Sequence, residues 1–378
     1  MQYRNITNDK ISTSVLGFGL MRLPVENNDN CTIDKIKSFE MMKYLYDNGV
    51  NYFDTAYTYH CENSETLLGE FIETIDRSSI YVATKLPMWL CNNYEDYETH
   101  FNTQLKRLKS DYIDFYLTHS LTEKSFKKML ELGVFKFLDE LKSKGKIKYA
   151  GFSFHDELPV FKEILNSYNW DFCQIQLNYL DKNYQAGLEG LKLAREKGIS
   201  VIVMEPLKGG NLAELPKDTN QILEKYNIKS TPVQLALKWV YDLDISLLLS
   251  GMSNMEQCIE NVALADTVSE VNTTADDRKA IDELVEFLNN RISVGCTSCE
   301  YCMPCPFDVN IPGIFQRFNN ATIFDNYEEN IKSYQTLIEN NNDAGMCTEC
   351  GACESLCPQN IEIIRKLKEA DSILKNDI

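Results

Sequence analysis

The sequence predicts an α/β protein in which a (β/α)8 barrel of the TIM type is followed by a small α-helical domain. Short apolar runs alternate with longer amphipathic stretches up to about residue 265, and eight cysteines crowd into the last 83 residues, where strand patterning disappears. Strands that are short and apolar enough to be buried on both faces, each followed by a helix, indicate a parallel sheet. Eight such units over roughly 250 residues fit a closed barrel better than an open sheet.

The strand and helix candidates follow one another along the chain. The eight strand candidates are residues 15–19, 50–53, 80–84, 112–117, 147–152, 172–177, 199–204 and 246–249. Helical patterns between them include residues 36–48, 65–75, 99–108, 135–143, 188–196 and 233–241. Several helices end at a residue followed by glycine, a common stop signal. No Gly-x-Gly-x-x-Gly fingerprint follows the first strand, which weakens the doubly wound alternative. A polar hairpin over residues 4–14, turning at 7–10, precedes the barrel.

The composition bounds the possible partners. The chain has 378 residues, a net charge of −18, 44% hydrophobic residues and 25% charged residues, as in ordinary globular proteins. No block of Lys and Arg is present, so we expect neither nucleic acid nor an anionic membrane surface as a partner. Residues 1–10 lack the apolar stretch of a secretory signal, and the aliphatic run at 245–249 is too short to cross a bilayer. We therefore expect a cytoplasmic protein.

Eight cysteines form two tightly spaced runs, each followed by proline. They are Cys296, Cys299, Cys302 and Cys305 in the first run, and Cys347, Cys350, Cys353 and Cys357 in the second. Three cysteines at two-residue spacing can hold three corners of a 4Fe-4S cluster, and in two-cluster ferredoxins the fourth cysteine ligates the other cluster. The predicted sets are Cys296, Cys299, Cys302 and Cys357, and Cys347, Cys350, Cys353 and Cys305.

Structural zinc is the alternative for these runs, because four-cysteine zinc sites also use Cys-x2-Cys pairs. Zinc leaves the third evenly spaced cysteine of each run unexplained. The first run has two residues before its last cysteine, where the usual bacterial pattern has three. The other five cysteines, at positions 31, 61, 91, 173 and 258, are scattered, and we expect most of them to have no role.

The spacer between the two runs is helical in pattern, including residues 311–317 and 327–339, which suggests a ferredoxin of the α-helical type. A helix over 273–290, with a cap at Thr274, precedes the first run. We place the domain boundary near residues 288–292. This gives a barrel domain over 1–288 and an α-helical ferredoxin-like domain over 289–378.

Four residues of suitable chemistry lie at successive strand ends, where the active sites of such barrels gather. Asp54 and Tyr59 follow the second strand candidate, Lys85 ends the third and His119 ends the fourth. A tyrosine hydroxyl is too weak an acid near neutral pH unless a neighbouring ammonium lowers its pKa. Lys85 can supply that charge, Asp54 can hold the lysine, and His119 can bond a substrate oxygen or relay the proton. The set predicts proton transfer to or from an oxygen beside a hydride transfer.

The segments Phe53-Asp54-Thr55-Ala56-x-x-Tyr59, Ala83-Thr84-Lys85 and Leu117-Thr118-His119 resemble the aldo-keto reductase family across essentially the whole barrel. With the cysteine runs, the chain resembles the branch of that family that carries a two-cluster 4Fe-4S module. The resemblance implies that Tyr59 is the general acid, that Lys85 and Asp54 tune it, and that His119 orients the carbonyl. It also implies a nicotinamide cofactor lying across the strand ends.

The resemblance further implies a set of cofactor contacts. They are Asp54, the first-strand loop Gly19, Leu20 and Met21, the carboxamide positions Ser153 and Gln174, the nicotinamide-stacking position Met204, the pyrophosphate loop Glu205, Pro206, Leu207, Lys208, Gly209 and Gly210, and the adenosine-phosphate segment Gly251, Ser253, Asn254, Gln257 and Asn261. Phe154 replaces the usual asparagine, Met204 replaces an aromatic residue, and Gln257 replaces the arginine that commonly meets the 2′-phosphate. NADPH and NADH therefore both stay open. Residues 60–65 replace a shorter glycine-containing turn, so we expect altered substrate recognition there.

The two halves handle electrons differently, because hydride carries two electrons and each cluster passes one. A flavin such as FMN could convert between them, although no flavin signature is present. Our leading hypothesis is a cytoplasmic oxidoreductase that interconverts a small carbonyl and its alcohol, with a module that exchanges electrons within the chain or with a partner protein. The second hypothesis is a non-enzymatic electron carrier or redox sensor whose barrel is a docking scaffold.

Overall fold

The computed structural model describes residues 1–7, 11–268 and 272–375. The chain forms two compact units, one of Met1–Gly209 and Val233–Thr273, the other of Gly210–Pro232 and Thr274–Ile378. The division that the sequence suggests, near residue 288, stays a prediction.

Eight parallel strands close into a barrel in the first unit, in the order β10-β3-β4-β5-β6-β7-β8-β9. The strands are β3 Leu16–Gly19, β4 Tyr52–Asp54, β5 Tyr81–Leu86, β6 Ile113–Leu121, β7 Ile147–Phe154, β8 Phe172–Gln176, β9 Ser200–Met204 and β10 Leu247–Ser250. Every strand coincides with a predicted apolar run, and the predicted barrel is confirmed. Before it, β1 (Tyr3–Ile6) and β2 (Ile11–Ser14) pair antiparallel, as the predicted hairpin requires, while turn residues 8–10 lie outside the described residues.

Helices follow the strands and cover the outside of the barrel. They are α1 Lys35–Asp47, α2 Ser64–Ile72, α3 Tyr94–Arg107, α4 Glu123–Glu131, α5 Val134–Ser143, α6 Leu158–Ser167, α7 Gly187–Glu196, α9 Pro232–Tyr241 and α10 Met255–Asp266. Helix α3 begins five residues before its predicted start, because Asn93 and Asp96 form a capping box at its N-terminus.

Aromatic and aliphatic side chains fill the barrel interior, including Tyr52, Phe115, Phe172 and Leu247, and Ile6 of the hairpin joins this cluster. Space inside is limited. A Cβ added to Gly151 would lie 2.6 Å from the ring of Phe172, so glycine is required where β7 passes that ring. The interior is therefore a packed core, and chemistry is confined to the strand ends.

The second unit is helical over its described residues. It contains α8 Asn220–Lys225, α11 Ala275–Asn289, α12 Ile311–Phe324, α13 Tyr327–Glu339, α14 Ala352–Leu356 and α15 Ile363–Leu374. Thr274 caps α11 as predicted, by accepting a hydrogen bond from the backbone N–H of Asp277. Phe315, Phe318, Leu337 and Leu367 form part of its core. The helical C-terminal region agrees with the fold class that the sequence predicts.

The largest difference between a predicted and an observed strand end is in β6. β6 continues to Leu121, four residues beyond the predicted end, and its pairing with β7 shifts register between Thr118 and Leu121. The polar residues His119 and Ser120 interrupt the apolar run, so the sequence pattern stops before the strand does. No helix within the described residues has both the length and the apolar character that a bilayer crossing demands.

Candidate active site

The barrel register brings the predicted catalytic strand ends to one level. Gly19 pairs with Asp54, Asp54 pairs with Ala83, and Lys85 pairs with Leu117 in neighbouring strands. Because parallel strands end at the same edge, the side chains of Asp54, Lys85 and His119 meet there.

Lys85 is the centre of the site and is almost fully buried, with 1% of its surface exposed. Its ammonium donates hydrogen bonds to Asp54 Oδ1 at 2.6 Å, to the backbone carbonyl of Thr55 at 2.7 Å and to the Tyr59 hydroxyl at 3.3 Å. An ammonium has three donors, so these three partners use all of them. The lysine is thus fixed in position and aimed at the tyrosine oxygen.

His119 completes the group of four. Its ring centroid lies 6.0 Å from that of Tyr59, with the planes nearly perpendicular, and 5.0 Å from that of Trp89. Trp89 is 47% exposed, so it lines the open side of the site. The structure therefore brings together all four residues that the sequence selects, and their catalytic roles stay predictions.

Burial and charge set the protonation states of these groups. Burial lowers the pKa of Lys85, but the negative charge of Asp54 and the Tyr59 oxygen outweigh it, so the net pKa is raised and the lysine stays charged. Burial, helped by the nearby charge of Lys85, lowers the pKa of His119 well below its usual range. The imidazole is therefore neutral at physiological pH, and it can act as a hydrogen-bond donor.

The net pKa of Tyr59 differs from the sequence-based expectation. Burial raises the pKa of Tyr59, and the opposing effect of Lys85 does not cancel that rise. The sequence identified the ammonium but could not show that burial of the half-buried phenol outweighs it. The tyrosine is consequently protonated at neutral pH, as a proton donor must be, and Lys85 is available to stabilise the phenolate once the proton has left.

A buried polar network holds the strand that carries Lys85. Gln104 donates to the Lys85 carbonyl at 3.0 Å and to Glu65 Oε1 at 2.8 Å. Glu65, which is fully buried, also accepts from Thr84 at 2.6 Å and from Arg107 at 3.1 Å. This network holds the end of β5 in position. No sequence motif indicated the network.

The turn after Tyr59 is strained. His60, Cys61 and Glu62 have φ angles of 51°, 53° and 73°, a left-handed conformation that costs non-glycine residues roughly 1–2 kcal/mol each. Cys61 forms a disulfide with Cys31, with a Cα–Cα distance of 5.0 Å. The sequence-based interpretation of these two cysteines as scattered thiols was wrong, because a spacing of 30 residues gives no signal of contact.

The predicted carboxamide positions lie together on neighbouring strands. Ser153 pairs with Gln174 between β7 and β8, and Gln174 donates to the sulfur of Met204 at 3.4 Å. Gln174 is 2% exposed, and its buried Oε1 has no hydrogen-bond partner among the described residues. An unsatisfied buried amide oxygen fits the NH2 group of a nicotinamide carboxamide.

An ion pair between two side chains connects the predicted pyrophosphate loop to the barrel. Lys208 donates to both carboxylate oxygens of Asp181, at 2.7 and 2.9 Å. Gly209 has a φ angle of 70°, and Gly210 one of 104°, which favour glycine. Pro206 is buried and Leu207 packs against the outer core, so these two residues anchor the loop.

Arg22 is a candidate cofactor residue that the sequence analysis missed. A Cβ added to Gly209 would lie 3.2 Å from its guanidinium, and one added to Gly251 would lie 3.4 Å from its side chain. The exposed Arg22 side chain therefore lies beside both predicted phosphate-binding segments. A phosphate group fits this position, because guanidinium groups bind phosphate with paired donors. The indication that the sequence offers for Arg22 is its position directly after Met21 in the first-strand loop.

The adenosine-phosphate segment is organised by helix capping. Asn254 accepts from the backbone N–H of Gln257 at 2.9 Å, and Gln257 Oε1 accepts from the backbone N–H of Ser253 at 2.8 Å. Asn261 is buried and donates to Ser250 at 2.8 Å, which ties α10 to the end of β10. In the first-strand loop Leu20 is buried and Met21 is 53% exposed. Cofactor contact by these residues stays a prediction.

The eight cysteines line two cavities in the second unit. One cavity is lined by Cys296, Cys299, Cys302 and Cys357, together with apolar residues such as Phe315. The other is lined by Cys305, Cys347, Cys350 and Cys353, with Cys302 also at its wall. Within the described residues no three or more His, Cys, Asp or Glu side chains could hold a single metal ion. The thiols instead surround two spaces in the predicted sets of four, which fits two clusters, and ligation itself stays a prediction.

The two cysteine loops repeat the same backbone pattern. Left-handed residues occur two and four positions after the first cysteine in each run, at Ser298 and Glu300 and at Glu349 and Gly351. A further left-handed residue follows the last cysteine of each run by three positions, at Asp308 and Asn360. Two loops of one shape in one domain indicate two equivalent binding sites, and the sequence analysis did not detect this repeat.

A closed parallel barrel with a Tyr, Lys, Asp and His group at its strand ends, in a chain with paired cysteine loops, defines an oxidoreductase with an iron–sulfur module. Residues 15–286 match the aldo/keto reductase family, and residues 295–362 match the 4Fe-4S dicluster domain. The chain belongs to the aldo-keto reductase family. It is therefore an enzyme of the NAD(P)H-dependent oxidoreductase type, with an adjacent 4Fe-4S dicluster domain, and the scaffold hypothesis and structural zinc are both disfavoured.

Known relatives share the barrel. The NADH-specific methylglyoxal reductase of Escherichia coli is 28% identical over 325 residues, which cover 74% of this chain and 96% of the relative. L-galactose dehydrogenase of Arabidopsis thaliana is 25% identical, covering 76% of this chain and 94% of the relative. The solved aldo-keto reductase AKR11C1 from Bacillus halodurans, in its holo form, has a TM-score of 0.62 and 26% identity, covering 75% of this chain and 96% of that structure.

Proposed function

We propose that this protein reduces an aldehyde or ketone to the alcohol with a nicotinamide nucleotide as hydride donor and Tyr59 as proton donor. The observation that carries the proposal is the Lys85 ammonium, which is held at 2.6 Å from Asp54 and donates to the Tyr59 hydroxyl at 3.3 Å. A fully satisfied buried ammonium aimed at a phenol oxygen supports phenolate formation, which is what proton donation by tyrosine requires.

The residues of the chain have separate tasks in this reaction. When held at the strand ends, a nicotinamide nucleotide would supply the hydride that the carbonyl carbon receives. Tyr59 gives its proton to the carbonyl oxygen as negative charge develops there, and Lys85 stabilises the phenolate that remains. The neutral imidazole of His119 donates a hydrogen bond to the same oxygen and orients it. Trp89, beside His119 and half exposed, forms a wall for the substrate.

The nucleotide contacts support NADH as the donor. Gln257 is neutral and its Oε1 accepts from the backbone of Ser253, so it offers a 2′-phosphate no positive charge. A relative in Escherichia coli is named an NADH-specific reductase. Arg22, beside Gly209 and Gly251, is placed for the pyrophosphate that NADH and NADPH share.

We further propose that the C-terminal module holds two 4Fe-4S clusters and exchanges electrons with a partner protein in the cytoplasm. Cys299 and Cys350 are exposed, and Tyr301 beside the first run is 66% exposed. Exposed cluster loops support electron exchange with another molecule, because transfer requires close approach. The described residues and the relatives named above lend no support to FMN.

The test is carbonyl reduction by the anaerobically reconstituted protein and by Tyr59→Phe. Loss of the hydroxyl should lower kcat by more than about a hundredfold, because it removes the proton donor and leaves the barrel intact. Tyr46→Phe is the matched control, since Tyr46 is a tyrosine of α1 whose hydroxyl bonds Ser79. Unchanged turnover in Tyr59→Phe would contradict the proposal. The visible spectrum of both variants verifies that the clusters are intact.

A further inference from the structure

The disulfide between Cys31 and Cys61 joins two exposed loops at the active-site edge of the barrel. Cys61 lies two residues after Tyr59, and Cys31 lies in the loop before α1. Both residues are exposed, whereas the cysteines at positions 91, 173 and 258 are buried. Small thiols and disulfides can therefore reach Cys31 and Cys61, but they cannot reach the three buried cysteines.

The covalent bond reinforces weaker contacts between the same two loops. His60 bonds the carbonyl of Asn30 through Nδ1 at 2.9 Å and accepts the backbone N–H of Leu23 through Nε2 at 3.2 Å. Asn63 donates to the carbonyl of Cys31 at 2.9 Å. The two His60 contacts link the strained turn at 60–62 to the loop of residues 23–31, and the Asn63 contact links the residue directly after the turn to the same loop.

That loop is held by its own hydrogen bonds and can therefore anchor the turn: the backbone N–H of Glu26 donates to the Thr32 carbonyl at 2.8 Å, and that of Asp34 donates to the Pro24 carbonyl at 2.8 Å. Residues 26–32 are exposed, and Asn27 and Asn28 have φ angles of 52° and 57°. A left-handed turn such as 60–62 persists where its surroundings hold it. With the disulfide open, the turn at 60–62 has one restraint fewer, and as it relaxes, Tyr59, which directly precedes it, can move away from Lys85.

We propose that Cys31 and Cys61 are a reversible thiol–disulfide modification site that takes low-molecular-weight disulfides and controls the position of Tyr59. One protein thiolate attacks a small disulfide RSSR, which forms a mixed disulfide and releases one thiol RSH. The other protein thiol then attacks the mixed disulfide, closes the Cys31–Cys61 bond and releases a second RSH. Two protein thiols are oxidised, one RSSR is reduced to two RSH, and the two protons pass to the released thiolates.

The effect on turnover rests on the carbonyl reduction proposed above. The disulfide form holds Tyr59 beside Lys85 and is the active form, and the dithiol form is slower. In a reducing cytoplasm, disulfides are usually transient and regulatory, which agrees with a switch more than with a permanent staple.

The experiment uses the whole chain with its clusters, under anaerobic conditions, with oxidised or reduced glutathione as the probe. Alkylation followed by mass spectrometry counts the free thiols at positions 31 and 61. We expect a disulfide in oxidised glutathione, two free thiols in reduced glutathione, and at least fivefold higher kcat for the oxidised form. Cys31→Ala and Cys61→Ala should stay at the reduced level in both conditions. Cys258→Ala, which removes a buried thiol elsewhere, should respond like the natural protein.

Amide hydrogen exchange at residues 57–64 gives a second measurement that needs no turnover. Protection should be higher in the oxidised form, and Cys31→Ala should lose that difference. Two free thiols in oxidised glutathione, equal exchange in both states, or equal kcat in both states would each overturn the proposal. If no carbonyl is turned over at all, the proposed function fails, and thiol count and exchange still decide whether the pair controls the turn.

Discussion

Replacing Lys85 by methionine removes the ammonium while keeping a side chain of similar length. At the observed 3.3 Å between Nζ and the Tyr59 oxygen, a unit charge pair in a medium of effective dielectric constant about 20 interacts by about 5 kcal/mol. A hydrogen bond to a charged group alone contributes about 1.5–3 kcal/mol. Since about 1.4 kcal/mol corresponds to a tenfold change, kcat for carbonyl reduction should fall by more than about tenfold and by up to about 4,000-fold.

The assay is the pH profile of kcat with saturating nucleotide. Reduction needs protonated Tyr59, so the rate is present below the pKa of Tyr59 and is lost as the pH rises through it. Burial raises that pKa and Lys85 opposes the rise, so the methionine variant should have a lower plateau and an alkaline limb at higher pH. A plateau within tenfold of the natural protein, or a limb displaced to lower pH, would refute the assigned role of Lys85.

Misfolding must be separated from loss of chemistry. Lys85→Met leaves Asp54, which is 3% exposed, as an unpaired buried carboxylate, and breaking such a pair typically costs about 3–5 kcal/mol of stability. The double variant Asp54→Asn/Lys85→Met removes both charges and should recover most of that stability while staying slow. Thermal unfolding followed by circular dichroism measures the recovery, and a double variant that regains activity would also contradict the argument.

Two further predictions concern the nucleotide and the clusters. Gln257→Arg should raise kcat/KM for NADPH by about tenfold, which is the effect of one hydrogen bond to a charged group. It should change kcat/KM for NADH by less than about twofold. An equal change for both nucleotides would show that Gln257 does not face the 2′-phosphate. Cys357→Ala should lower the iron content from about eight to about four atoms per chain, because Cys357 lines the cavity of Cys296, Cys299 and Cys302, whereas Cys258→Ala should keep all the iron. A full complement of iron in Cys357→Ala would reject the predicted sets.

The sequence predicted the barrel well because buried parallel strands leave a simple signal. All eight apolar runs became strands, and most of their ends differ from the structure by one or two residues. The exception is β6, in which the polar residues Thr118, His119 and Ser120 interrupt the apolar pattern before the strand ends at Leu121. The apolar pattern indicates which strand residues are buried between the barrel and its helices. It does not predict the end of a strand where the last residues include polar residues of the site.

The rest of the site depends on distances that no local pattern encodes. The Cys31–Cys61 pair joins the loops that follow the neighbouring strands β3 and β4, and the proximity of Arg22 to Gly251 is produced by the closure of the barrel between β3 and β10. The direction of the Tyr59 pKa shift depends on the balance of burial and charge, of which the sequence shows only the charge. The cysteine runs were interpretable because ligand spacing in a cluster loop is local.

The strained turn at 60–62 is held on two sides by different forces. On one side, Arg107 forms ion pairs with Glu62 in the turn and with the buried Glu65, and its guanidinium lies 4.2 Å from the ring centroid of Tyr57. Glu65 in turn shares Gln104 with the carbonyl of Lys85. On the other side, the turn is bound to the loop of residues 23–31.

In this arrangement the position of Lys85 and the position of Tyr59 depend on different contacts. The charged network fixes Lys85 and does not depend on any sulfur, so opening the disulfide should leave the contact between Lys85 and Asp54 in place. Only the second hold on the turn, and with it the position of Tyr59, then changes. Opening the exposed Cys31–Cys61 bond can therefore alter proton donation by Tyr59 without disturbing the buried Lys85–Asp54 ion pair. The disulfide and the Arg107 network both contact the turn at 60–62, but they consist of separate residues.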